Sequence, residues 1–80
     1  MTLVEFAEFL VTKIAKETEM VKAKEFETEE GLVLEILVSE NDMGRVIGKQ
    51  GKMANSLKTI LRAKAYNDGI KKVQVNISSF

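Results

Sequence analysis

The chain has eighty residues, with twelve Lys or Arg against twelve Asp or Glu and neither cysteine nor histidine. This is the length of one domain, above the size at which a disulfide or metal is usually needed to complete a core. Without thiols or imidazoles there is no disulfide framework, no thiolate metal site and none of the usual nucleophile–base pairs, so an enzyme, a metal centre or a bound cofactor is not expected.

The zero net charge hides a division. Residues 1 to 42 carry four lysines and eleven acids, whereas residues 43 to 80 carry eight Lys or Arg and a single acid, Asp68. Such asymmetry by itself fits either a polyanionic partner for the basic half or a solvated basic helix face. Met1-Thr2-Leu3-Val4-Glu5 places no basic segment before an apolar run, and no stretch approaches the length of a membrane span. Export and membrane insertion are therefore not expected, and the sequon Asn76-Ile77-Ser78 reads as a chance match.

In chain order, Thr2 with Glu5 three positions on forms a capping box that starts a helix near residue 3. Val4, Ala7, Val11 and Ile14 recur at helical spacing, widened by Leu3, Phe6 and Leu10, and the helix is expected to end near Glu17. Its polar face is not dominated by Lys or Arg, which favours packing against a sheet over lying on an anionic membrane. From Met20 to Phe26 the alternation is imperfect and predicts an edge strand, with or without a bulge. Thr28-Glu29-Glu30-Gly31 then supplies a turn, and Leu32, Leu34, Ile36 and Val38 alternate along a second strand. Val33 and Leu37 make its other face apolar as well, so this strand is expected at the centre of the sheet.

Ser39-Glu40-Asn41-Asp42 offers a cap for a short helix over about 43 to 48. A longer helix follows from Lys52 to Tyr66, with Ala54, Leu57, Leu61 and Ala65 in one stripe and Met53 and Ile60 at its edge. Lys58 and Arg62 lie on a different side. Asn67-Asp68-Gly69 ends the helix, and Val73, Val75 and Ile77 alternate with polar residues in a last strand. The order is α-β-β-α-α-β. The last strand should run parallel to the second through a right-handed crossover, giving an α+β fold in which three helices cover one face of a three-stranded mixed sheet.

Between the last two helices stands Arg45-Val46-Ile47-Gly48-Lys49-Gln50-Gly51-Lys52, with two glycines, three cations and no acid. Glycines allow a sharp turn and close approach of main-chain amides to a ligand, and the helix start that follows favours an anion. Neither Gly-x-Gly-x-x-Gly nor Gly-x-x-x-x-Gly-Lys-Ser/Thr occurs, so a nucleotide-hydrolysing loop is not expected.

Val46-Ile47-Gly48-Lys49-Gln50-Gly51, flanked by helices with strands outside them, resembles the Gly-x-x-Gly loop of the KH domain, which holds four nucleotides of single-stranded nucleic acid. The whole chain fits, and the helix and strand ahead of the core make it similar to the type II KH fold, as one domain over residues 1–80. With the tract Gly44 to Lys52, it resembles the small bacterial single-KH RNA-binding proteins of the KhpA family. That resemblance implies a cytoplasmic homodimer that binds single-stranded RNA and pairs with a larger Jag-like KH protein. It also implies work as a post-transcriptional regulator or RNA chaperone, with links to cell elongation, cell shape and wall organisation. The residues it implicates are Arg45, Val46, Ile47, Gly48, Lys49, Gln50, Gly51, Lys52 and Ala54, with bases lying between the loop-flanking helices and strand 32 to 38. Ala54 departs from the KH pattern, since a large aliphatic usually stands three residues after the second glycine. The Met53 and Ile60 edge is compatible with a subunit interface or with packing inside the chain. An alternative is a dimerising adaptor for the Jag-like protein, in which the loop is vestigial.

Overall fold

A computed structural model describes residues 1–80. Its main elements are α1 (Leu3–Thr12), β1 (Lys22–Thr28), β2 (Gly31–Val38), α2 (Met43–Ile47), α3 (Lys52–Asn67) and β3 (Val73–Ser79). The sheet order is β1-β2-β3, with β1 antiparallel and β3 parallel to the central β2. The helices lie on the face that carries Leu34, Ile36 and Val38, all fully buried, and Leu61 and Val11 meet them from α3 and α1. Full burial of such side chains contributes about 1.5–3 kcal/mol each. The alternation of β2 and the stripe Ala54, Leu57, Leu61, Ala65 of α3 are thus the two patterns that hold the layers together.

Both ends of the expected helices have physical explanations. The capping box forms: the Thr2 amide donates to Glu5 Oε1 at 2.9 Å and the Glu5 amide to Thr2 Oγ1 at 3.1 Å. The bond from the Thr2 amide, followed by the Thr2 hydroxyl, favours the charged carboxylate and holds the Glu5 pKa below its usual range. α3 closes with the Gly69 amide on the Tyr66 carbonyl at 3.0 Å and the Ile70 amide on Ala65 at 2.8 Å, the bond pair of a Schellman cap.

Three expectations need correction. α1 ends at Thr12, not near Glu17. The amides of Ile14 and Ala15 both turn back to the Val11 carbonyl, and those of Lys16 and Glu17 leave the helix to donate to the two carboxylate oxygens of Asp42, at 3.1 and 2.9 Å. A charged acceptor 25 residues away wins over continued periodicity, because hydrogen bonds to ionised groups are the stronger ones. The side chain of Asp42 is accordingly taken, and it does not cap α2. Finally, β1 begins two residues later than expected and carries no bulge: its register against β2 is unbroken from Lys22↔Leu37 to Thr28↔Gly31. Phe26 reads as out of phase because it faces the uncovered side of the sheet, opposite Val33, where it is 47% exposed.

Candidate nucleic-acid interface

The loop between α2 and α3 is built by backbone conformations that its residues make possible. Gly48 ends α2 at φ 79°, ψ 173°, a region open almost solely to glycine, and its amide bonds the Gly44 carbonyl at 2.9 Å. A tight turn over Lys49–Gly51 follows, in which Gln50 (φ 56°, ψ 26°) and Gly51 (φ 77°, ψ 10°) are both left-handed. Gln50 is the single non-glycine residue with positive φ in the chain. Such strain costs roughly 1–2 kcal/mol and is found where function requires the shape.

The two glycines are not equivalent. A Cβ on Gly48 would stand 2.6 Å from Met53 Cβ and 2.8 Å from its amide nitrogen, whereas a Cβ on Gly51 meets nothing within 4 Å. Gly48→Ala is therefore expected to lose about 2–4 kcal/mol, from left-handed strain plus a clash with the base of α3. Gly51→Asn should be almost neutral, because Asn tolerates that region. Urea unfolding of the two variants checks the contrast; equal losses would mean that the two turns differ less than their geometry implies.

The loop amides divide in the same way. Those of Gly48 and Gly51 are used internally, the latter on the Gly48 carbonyl at 3.2 Å, and the Lys52 amide returns to Lys49. Those of Lys49 and Gln50 take no part in the turn and cap bonds, and both residues are exposed. Lys49 and Lys52 form no ion pair, while Arg45 Nε lies 3.7 Å from Asp42 Oδ1. Among the apolar residues singled out in the sequence, Ile47 is half-buried at the surface, Ala54 is 7% exposed and Val46 is fully buried in the core.

The strand expected along the bases lies at the centre of the sheet. β2 is paired on both edges, so strand 32 to 38 offers no free edge beside the helices; the edge strand packed beneath α3 is β3. At its ends the Leu32 amide bonds the Lys72 carbonyl at 3.0 Å and the Phe80 amide bonds Val38 at 3.2 Å. In the alternating parallel ladder, Val73, Val75, Ile77 and Ser79 consequently turn their N–H and C=O groups outward. The sequence held a signal for this: residues 73 to 79 contain no charge, unlike the Lys- and Glu-rich edge strand β1.

Comparison with known proteins gives a consistent result. Residues 4–77 match the family model described as "KhpA/KhpB, KH domain". The chain is 40% identical over 73 residues to the RNA-binding protein KhpA of Clostridium perfringens, covering 91% of this chain and 96% of that one. It is 44% identical over 59 residues to KhpA of Thermotoga maritima, covering 74% and 79% of the two chains. Among solved structures, that of Era in complex with MgGDPNP and nucleotides 1506–1542 of 16S ribosomal RNA superposes with a TM-score of 0.66 at 19% identity. That match covers 98% of this chain but only 30% of the Era chain, and it carries fold likeness alone.

Proposed function

Because the chain belongs to the KhpA/KhpB family of KH domains, we propose that it binds single-stranded RNA, gripping the sugar-phosphate backbone of about four nucleotides at Gly48–Gly51. The observation that carries this reading is the exposed turn with two amides free of internal bonds, at Lys49 and Gln50, between two unpaired lysines. The amides donate to phosphate oxygens while Lys49 and Lys52 supply charge, with Arg45 at the margin. Bases lie over Ile47 and the Ala54 side of α3, toward the uncharged edge of β3. No helix is long and apolar enough to cross a membrane, and we place the protein in the cytoplasm as a single KH domain that acts as a post-transcriptional regulator or RNA chaperone.

One four-nucleotide grip binds modestly, and a homodimer would raise affinity by effective concentration. Met53 and Ile60, 38% and 44% exposed on one flank of α3, are the edge available for it. The same exposed edge favours the second reading, an adaptor for a larger Jag-like KH protein with roles in cell elongation and wall synthesis.

A salt titration of RNA affinity tests the phosphate grip. If Lys49, Lys52 and Arg45 each neutralise one phosphate, the logarithm of the binding constant should fall with the logarithm of salt at a slope of roughly −2, about −0.7 per neutralised phosphate. A slope near zero would reject backbone capture.

A further inference from the structure

The far end of α3 carries a second group of side chains suited to a nucleic-acid strand. A hollow of about 490 Å³ lies between the C-terminal half of α3, the β1–β2 turn and the start of β3, lined among others by Arg62, Tyr66, Lys71, Lys72 and Gln74, with Glu30 on its turn side. Arg62 and Tyr66 are four residues apart and so share one helix flank, and Lys58, one turn earlier, continues that flank toward the loop. Tyr66 is 71% exposed, more than any other aromatic side chain here, so its ring face is open to a ligand. None of Lys58, Arg62, Lys71 and Lys72 forms an ion pair. Glu25 and Glu27 line an adjoining hollow together with the two lysines, so the acids lie toward β1 and the turn, while Arg62 stands beside Tyr66 on the helix side.

Tyr66 lies fifteen residues beyond Gly51, about 22 Å along the helix axis at 1.5 Å per residue. A strand gripped at the loop has to run the length of α3 to reach this cluster, which lies outside the Gly48–Gly51 turn itself. The flank of α3 and the outward-facing backbone of β3 join the two places.

We propose that this cluster is a second RNA subsite, in which a base of the same strand stacks on Tyr66 while Arg62, Lys71 and Lys72 meet its phosphates. The footprint then extends beyond the four nucleotides gripped at the loop. Stacking on an aromatic side chain tolerates any base, so the subsite adds affinity and strand length rather than sequence preference. This inference rests on the RNA-binding reading above, and its test separates the two.

Affinity is measured by fluorescence anisotropy for RNA oligomers of four and of about ten nucleotides. The protein as it stands should bind the longer oligomer more tightly. Tyr66→Ala should weaken the longer complex roughly five- to a hundredfold and leave the four-nucleotide complex unchanged, while Tyr66→Phe keeps wild-type affinity for both. Lys71→Ala with Lys72→Ala should flatten the salt slope for the longer oligomer by about 0.7 for each phosphate that is no longer neutralised. All of these residues are exposed, so the fold tolerates the changes. Wild-type affinity of Tyr66→Ala for the longer RNA, with the short one still bound, overturns the subsite and leaves the loop standing. Failure of the unaltered protein to bind either oligomer overturns both.

Discussion

Asp42→Ala is expected to be among the most destabilising single substitutions in this chain, lowering the melting temperature by on the order of 10 °C at neutral pH. The residue is 2% exposed, and its carboxylate accepts from the Lys16 and Glu17 amides and from Ser39 Oγ at 3.3 Å, with Arg45 nearby. Alanine removes the acceptor and leaves two main-chain donors with no partner where the chain leaves α1. Those two backbone bonds, followed by the one from Ser39 and the charge of Arg45, outweigh desolvation and hold the Asp42 pKa below its ordinary range. A depressed folded-state pKa means that the stabilisation is complete above the unfolded value and is lost as pH falls through the folded one. The gap in melting temperature between wild type and Asp42→Ala should therefore be full at neutral pH and close only in acid below the ordinary aspartate range. Circular dichroism melts across that range check both parts; a variant melting within a degree or two of wild type at neutral pH would show that the end of α1 does not depend on this carboxylate.

The same residue marks where the sequence stops being legible. Elements set by local periodicity or local capping could be read directly: the capping box at Thr2 and Glu5, the alternation of β2, the buried stripe and terminus of α3, and the parallel placement of β3. Features decided by contacts distant in sequence could not. Nothing near Glu17 announces that Asp42 will take its amide, and the imperfect alternation of β1 imitates a bulge because Phe26 lies on a sheet face that no helix covers. At the candidate site the glycine spacing and the cations were visible as a string. The inequality of the two glycines, the division of the loop amides into used and free, and the place of β3 rather than β2 at the sheet edge under α3 needed the backbone path. Tyr66 carried no signal on its own, since an isolated aromatic near a helix end acquires meaning only when Lys71 and Lys72 fold back beside it.

Replacing Lys49 and Gln50 together by Asp should abolish practical RNA retention while leaving the fold intact. Both side chains are exposed and unpaired, and the left-handed backbone at Gln50 suits Asp at least as well as Gln, so stability has little reason to fall. At the ligand the change is severe. A charge-assisted hydrogen bond, worth about 1.5–3 kcal/mol, is lost with Lys49. Two carboxylates then face the phosphates, each adding about 1 kcal/mol of repulsion at roughly 4 Å even at the dielectric of water. The combined effect is a loss of affinity of roughly four hundred- to five thousandfold, most visible at low salt. Lys49→Ala alone, which removes the cation without adding repulsion, should fall between wild type and the double variant. A filter-binding series beside thermal melts makes the comparison. Should the double variant melt like wild type and still hold RNA as tightly, the turn is not the clamp, and capture of a Jag-like partner by that same variant would favour the adaptor reading.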